Sequence, residues 1–269
     1  MRTMERVAIP HLSGMPVCSN LSDAEFEARL NREPGDLKGY DCPTCLNRGF
    51  IWHVEGGEKW TEPCRCRETR AGLQRLKKSG LEAAAELCTF ARFQATEDWQ
   101  KNMLQTAKAF LADKNRQWMF VSGQSGCGKT HICTATAVRL LKAGAKTRYM
   151  QWTTAARELQ AAIFDEGAYN VLIAPLKTTK VLYIDDLFKT PGNTPPSDKD
   201  FRLAFEILNA RYNDPHLITI ISTEHSLRAL AEMDTALAGR IAERCGQYRV
   251  QIAVKPGRNY RERFLGGEI

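Results

Sequence analysis

No run in this sequence approaches the 18 or more uninterrupted apolar residues of a membrane-spanning helix. The opening segment, MRTMERVAIPHLSG, lacks the apolar core of a secretion signal. The expected setting is therefore cytoplasmic, with no membrane partner. No internal repeat or long low-complexity tract is present, and the composition excludes a collagen-like chain, a coiled-coil rod and a mostly disordered chain. Neither sign of charge dominates. Lys and Arg total 38 against 31 Asp and Glu, a net +7 that permits contact with nucleic acid without demonstrating it.

What is present is an ordinary globular balance over 269 residues, 43% hydrophobic and 26% charged, enough for one large domain or two smaller ones. Residues 1–40 are polar and irregular, with a helix predicted from Asp23 to Asn31 behind Ser22 as N-cap. Residues 68–88 are helical in composition, interrupted at Ser79-Gly80, where the domain boundary is placed. The expected division is 1–80 and 81–269. Beyond it, β-like runs at Trp118–Ser122, Thr147–Gln151, Val181–Asp185, Leu217–Ser222 and Tyr248–Ile252 alternate with helical stretches near 98–113, 130–143, 154–165 and 201–212. This alternation predicts an α/β fold, a parallel sheet flanked by helices. The Pro-rich stretch Pro191–Asp200 reads as a mobile loop.

Residues 118–130, WMFVSGQSGCGKT, fit G-x-x-x-x-G-K-[ST] between an apolar strand and a helix. Glycines let the backbone wrap phosphates with its N–H groups inward, and the following helix N-terminus adds favourable partial charge. The predicted nucleotide-binding set is Gly123, Gln124, Ser125, Gly126, Cys127, Gly128, Lys129, Thr130 and His131. Lys129 would reach the β- and γ-phosphates of ATP, and Thr130 would give its hydroxyl to Mg²⁺. Cys127 reads as a small loop residue without a chemical role. VLYIDD, residues 181–186, is a buried strand ending in two aspartates, the form of a Walker B element. Asp185 would hold Mg²⁺, and Asp186 would orient and deprotonate the attacking water. In AAA+ nucleotidases a polar residue ending the next strand contacts that water or the γ-phosphate, and Thr223 is the candidate. Arg240 and Arg244 lie four residues apart on one helical face.

Nine cysteines are present, and CPTCLNRGFIWHVEGGEKWTEPCRC places Cys42, Cys45, Cys64 and Cys66 as C-x₂-C and C-x-C around a glycine-centred spacer. Four thiolates satisfy the tetrahedral demand of structural Zn²⁺, and the spacer reads as a β-hairpin returning the second pair to the first. His53 is the alternative ligand to one of the C-x-C cysteines. Reduced cysteines without metal are the bland alternative, and a redox dithiol lacks its βαβ setting. Trp52 and Trp60 could stack on single-stranded DNA.

In order, ELCTFARF, GQSGCGKTH, VLYIDDL, ILNARY, TIIST, GRIAERC and NYRERF make residues 86–264 resemble the AAA+ ATPase domain of the DnaC/DnaI helicase loaders, itself similar to the IstB transposition helper. The resemblance implies ATP hydrolysis, slow without a partner. It implies self-assembly through the AAA+ domain, a hexameric replicative helicase as partner, and single-stranded DNA. It matches Arg244 to an arginine finger reaching the neighbouring subunit, with Arg240 as alternative, and Arg261 to an arginine contacting nucleotide in its own subunit. Two positions depart from the family's common pattern: Thr223 stands where Asn is usual, and Asp186 where many members have Glu. The cysteine cluster is similar to the zinc-binding N-terminal domains of such loaders, which grip the helicase. An IstB-like helper that assembles on DNA is the alternative, and a zinc-containing DNA-binding protein using ATP only structurally is a third.

Overall fold

The structure is a computed structural model and describes residues 21–77, 82–190, 192 and 194–264. The chain divides into two units, Met1–Ala71 and Gly72–Ile269. The boundary expected at 80/81 lies outside the described residues.

In the first unit, Ser22 opens α1 (Asp23–Arg32) with a capping box: its hydroxyl accepts from the Glu25 N–H while the Glu25 carboxylate accepts from the Ser22 N–H. The predicted hairpin is β1 (Phe50–Glu55) and β2 (Glu58–Pro63), paired antiparallel with Glu55 opposite Glu58. Gly56 and Gly57 turn it with φ +60° and +80°, which side-chain-bearing residues resist. α1 covers the outer edge of β1. Asp23, Glu27 and Asn31, four residues apart, accept from the N–H groups of Gly56, Val54 and Trp52 at 2.7, 2.9 and 3.0 Å. That removes the open strand edge on this side. α2 (Cys66–Leu76) begins at the last of the four cysteines and continues past Ala71 into the second unit.

The second unit carries α3 (Glu82–Leu87), α4 (Asp98–Ala112), β3 (Trp118–Ser122), α5 (Lys129–Lys142), β4 (Thr147–Gln151), α6 (Trp152–Ala161), α7 (Glu166–Thr178), β5 (Val181–Leu187), α8 (Asp198–Tyr212), β6 (Ile218–Thr223), α9 (Leu227–Met233), α10 (Thr235–Cys245) and β7 (Arg249–Gln251). The five strands lie in the order β4-β5-β6-β3-β7, each neighbouring pair parallel. Alternate strand residues feed two cores. Trp118, Phe120, Ile184 and Ile221 pack with α6, α8 and α10, while Met119, Val121, Tyr183 and Ile220 pack with α4 and α5. This is the expected α/β fold with helices on both faces of a parallel sheet, of the AAA+ kind. Among the described residues no helix is long and apolar enough to cross a membrane.

Several elements depart from the expectation, α9 (Leu227–Met233) among them as a short helix not predicted. α7 was not predicted, because Pro175 falls inside it and proline is a poor helix residue. Its missing N–H leaves the Val171 carbonyl without a helical partner, and Val171 is 74% exposed, so water can take that place. α8 starts at Asp198 because Ser197 and Asp200 form a capping box, so the end of the expected Pro-rich loop is helical; Pro191 and Asn193 lie outside the described residues. β5 runs on through Asp185 and Asp186, with a bulge against β6 between Ile184 and Leu187.

Arg211 of α8 ties this unit together. Fully buried, it donates to the carbonyls of Leu176, Thr179 and Ile218 and to the Thr219 hydroxyl, at 2.7–3.0 Å. Burial pulls its guanidinium down to about 10, which leaves it charged at neutral pH. Arg211→Met would orphan three buried acceptors and the half-buried Thr179 carbonyl, each buried one costing about 1–3 kcal/mol when unmet, partly offset by losing a buried charge. The expected loss in urea unfolding is about 2–4 kcal/mol, and a loss below about 1 kcal/mol would show that water replaces the guanidinium there.

Candidate nucleotide site and metal cluster

β3 delivers the chain to the phosphate loop, and Gly128 in left-handed backbone (φ +90°) starts α5. Lys129 is buried; its Nζ donates to the carbonyls of Gly123 and Gln124 at 2.8 and 3.0 Å. An ammonium has three donors, so one remains for a ligand. The loop is braced by the segment after β7: Gln124 Oε1 accepts from the Lys255 N–H at 2.8 Å, and the Gly126 carbonyl from the Tyr260 N–H at 3.0 Å. A Cβ on Gly126 would lie 1.8 Å from Asn259 Oδ1, so that position requires glycine. His131 donates through Nε2 to the Thr89 carbonyl at 2.8 Å. Burial raises the Cys127 thiol, keeping it protonated despite the nearby Lys129 charge, in line with a loop residue that does no chemistry.

The loop borders a cavity of about 770 Å³. Ser125, Gly126, Cys127, Gly128, Lys129, Thr130 and His131 line it, together with Asp186, Lys189, Glu224 and Arg261, while Phe93, Trp99 and Tyr260 add aromatic surface. Arg258 stacks over the Trp99 ring at 5.4 Å. Gly123 and Gln124 serve this cavity indirectly, by holding Lys129.

Asp185, at the end of β5, is buried and collects four hydroxyls. Thr130 Oγ1 (3.2 Å), Tyr183 OH (2.6 Å) and Ser222 Oγ donate to Oδ1, and Tyr149 OH donates to Oδ2 at 3.0 Å. Burial raises both phenols and the Asp185 charge raises them further, so both remain donors at neutral pH. Asp186 sits in left-handed backbone at φ +55°, with its N–H on Ser222 Oγ at 3.0 Å. Its carboxylate faces the cavity and pairs with Lys189 at 3.0 Å. Lys189 also pairs with Glu224 at 3.3 Å. Burial lowers the Lys189 ammonium, but the hydrogen bonds and charges of Asp186 and then Glu224 outweigh this and leave it raised.

The structure therefore brings together the phosphate loop, Thr130, both aspartates and Arg261. It does not bring Thr223 to the cavity. That side chain is fully buried, donating to the Leu187 carbonyl at 2.8 Å, and its neighbour Glu224 lines the cavity instead. Arg244 is not in the cavity lining either. Its guanidinium donates to Gln117 Oε1 at 2.8 Å and to the Tyr212 carbonyl, and stacks on the Tyr212 ring at 4.6 Å. Arg240 lies over Phe205 at 4.8 Å. Sequence reasoning missed Lys189, Glu224 and the hydroxyls of Tyr149, Tyr183 and Ser222. Every residue of β6 is buried, so a period-two pattern could not tell which end residue turns outward.

In the first unit, the Sγ atoms of Cys42, Cys45, Cys64 and Cys66 lie within 4.8 Å of one another, all buried. Cys42 and Cys64 are 3.8 Å apart, and Cys45 and Cys66 are 3.4 Å apart. Tetrahedral Zn²⁺ with bonds of about 2.3 Å needs sulfurs about 3.8 Å apart, so this donor set fits it. Backbone N–H groups favour the thiolate at the first pair: the Gly49 N–H donates to Cys45 Sγ at 3.2 Å, and although burial raises Cys42, N–H groups of Cys45 and Thr44 outweigh it and bring the thiol down to about 7. In the second pair burial dominates and raises Cys64, and raises Cys66 to about 12. The chain turns back just after the first pair, with Leu46 and Asn47 in left-handed backbone and the Asn47 side chain accepting from the Cys42 N–H at 2.9 Å. His53 is not part of this group. Its ring stacks on Trp60 and faces Glu62 (3.2 Å) and Glu27 (3.9 Å).

The hairpin register separates the two tryptophans. Trp60 pairs with His53, sharing a face with Glu62, Glu55 and Glu58; Trp52 pairs with Thr61 on the opposite face. The two rings therefore lie on opposite faces of the hairpin, and the Trp60 face carries carboxylates that repel phosphate. Charge divides the same way: residues 1–71 hold 10 Lys and Arg against 11 Asp and Glu, residues 72–269 hold 28 against 20. The basic excess lies in the second unit.

Residues 59–263 match the family described as IstB-like ATP binding protein. The chain is 30% identical over 246 residues to the phage-like element PBSX protein XkdC of Bacillus subtilis (strain 168), covering 84% of this chain and 90% of that protein. Its fold is similar to that of the replication initiator DnaA bound to AMPPCP and single-stranded DNA: TM-score 0.51 and 21% identity over 62% of this chain and 50% of that one. It is also similar to that of DnaI, with TM-score 0.50 and 22% identity over 62% of this chain and 90% of that one.

Proposed function

The chain belongs to the IstB-like ATP binding protein family, and from that premise we propose that it is an ATP-dependent loader that binds a hexameric replicative helicase and helps place it on single-stranded DNA. The observation that carries the reading is the pairing of a complete nucleotide cavity with a four-cysteine unit whose surface suits protein better than DNA. The donor left free on Lys129 is assigned to the ATP phosphates. Thr130 and Asp185 would hold Mg²⁺, which when bound neutralises charge between the β- and γ-phosphates. Asp186, facing the same cavity, is assigned to the attacking water, and Arg261 to nucleotide bound in its own subunit. Zn²⁺ on the four cysteines would hold the hairpin that grips the helicase. Single-stranded DNA is assigned to assembled ATPase units, where the basic excess lies. The likeness to a phage-like element protein supports a phage or prophage setting.

Two substitutions test the site. Lys129→Ala removes the only buried ammonium of the described residues and should weaken ATP binding by about 100-fold or more, without unfolding. Asp186→Asn should keep ATP binding and lose roughly 10²–10⁴ in turnover. Wild-type turnover by Asp186→Asn would remove it as the base. The partner is tested by co-purification with the replicative helicase of the same genome, followed by mass measurement of the complex. A stable complex is the expected result. The family match also suits an IstB-like transposition helper, and capture of a transposase without the helicase would establish that reading instead.

A further inference from the structure

The cavity holds a cation to which the family reading gives no task. Lys189 Nζ stands between Asp186 Oδ2 at 3.0 Å and Glu224 Oε1 at 3.3 Å, and all three residues line the cavity with Lys129 and Thr130. Its mount is rigid. The Lys189 N–H donates to the Asp186 carbonyl at 2.9 Å, closing a tight turn in which Asp186 and Phe188 both take left-handed backbone. Phe188 is buried and anchors that turn between Trp152 (5.3 Å) and Phe201 (4.7 Å). Backbone this strained persists only where its surroundings hold it, and here it turns the ammonium back over the carboxylates.

The charges make the placement consequential. Without Lys189, this end of the cavity would present two carboxylates, Asp186 and Glu224, to an approaching phosphate. With it, one charge is cancelled. The two carboxylates take two of the ammonium's three donors, and no other acceptor among the described residues engages the third. Thr223, expected to do this work, has its hydroxyl committed to Leu187 inside the sheet.

We infer that Lys189 recognises the terminal phosphate of a nucleoside triphosphate, so that the site distinguishes triphosphate from diphosphate through Lys189 and not through Thr223. The inference rests on the reading of the cavity as a nucleotide site. Lys189 is a positioning and specificity residue: it contacts the terminal phosphate while holding Asp186 beside it. Glu224 opposes it, drawing the ammonium aside and adding negative charge.

The test is calorimetric titration of the full chain with ADP and with AMPPCP, both with Mg²⁺. Lys189→Met should weaken AMPPCP by roughly tenfold to hundredfold, the effect of losing one charge-assisted hydrogen bond, and leave ADP within about threefold. Lys189→Arg should recover part of the difference. Glu224→Gln should shift discrimination the other way, tightening AMPPCP relative to ADP. Equal weakening of both nucleotides by Lys189→Met, or no change in either, overturns the inference while the nucleotide site stands. If Lys189→Met fails to fold, Glu224→Gln decides alone: loss of AMPPCP relative to ADP overturns it. If folded wild-type protein binds neither nucleotide, the nucleotide-site reading falls and this inference with it.

Discussion

Cys45→Ser should unfold the N-terminal unit and abolish zinc binding there, leaving the second unit folded. The argument starts from how little else holds that unit. Among its described residues, Val54 is the only buried aliphatic side chain apart from the cysteines, and α1 contributes no buried residue. Fully burying one valine contributes about 1.5–3 kcal/mol, far short of the entropy of ordering a chain segment of this length. The α1–β1 bonds and the Arg48 guanidinium, which donates to the carbonyls of Leu30 and Glu33 at 2.6 and 2.7 Å, fix geometry but exchange with water when the unit opens. A structural zinc supplies roughly 10–16 kcal/mol of apparent binding energy, and binding energy of this kind is folding energy. Elemental analysis of protein purified without chelators should give one zinc per chain. Cys45→Ser should lose it, and limited proteolysis should then cut within the first unit while the second resists. A chelator should reproduce both results with wild-type protein. His53→Ala should retain zinc, because its ring faces Glu62 and Glu27. Wild-type protein free of zinc yet resistant to proteolysis would end the metal reading.

The same unit shows where sequence reasoning succeeds. Cysteine spacing and the Gly56-Gly57 turn are local signals, so the hairpin and the clustering of its four cysteines were legible. The separation of Trp52 from Trp60 was not, because it depends on cross-strand register. In the second unit the phosphate loop, Thr130 and the aspartates were equally legible, since each lies in a contiguous motif. Their meeting at Asp185 follows from β3, β5 and β6 lying near one another in a parallel sheet. Thr223 was assigned from position alone, and position did not fix which way its side chain points. The bulge after Ile184 and the left-handed backbone at Asp186 and Phe188 reset the register there. They turn Lys189 and Glu224 into the cavity and leave Thr223 in the sheet. α7 was missed because Pro175, a poor helix residue, falls inside it; the carbonyl it orphans is that of Val171, on the exposed side of the helix.

Arg244→Ala should depress ATP turnover of the assembled protein by roughly 10³–10⁵, the range for an arginine supplied in trans to a transferring phosphoryl group in GTPases. In the isolated chain the residue is held by Gln117 and Tyr212, outside the lining of its own cavity. Among the described residues neither Arg244 nor Arg240 has a carboxylate partner; Glu243 instead accepts from the Tyr212 hydroxyl at 2.8 Å. A guanidinium with only neutral partners can be drawn to a neighbouring subunit's γ-phosphate without breaking an ion pair. The monomer should then bind ATP yet turn it over very slowly, and Arg244→Ala should leave monomer nucleotide affinity unchanged. Arg261→Ala should weaken that affinity, since Arg261 lines the cavity of its own chain. A merely structural Arg244 predicts something else, a lower unfolding midpoint in the monomer and a matching loss of assembly. The decisive measurement mixes Arg244→Ala chains with Lys129→Ala chains under assembling conditions. Each is inactive alone, but one mixed interface joins an intact phosphate loop to an intact arginine, and turnover should return. If mixed assemblies form and no activity returns, Arg244 does not act in trans. Arg240, stacked over Phe205 one helical turn earlier, would then take its place in the same experiment.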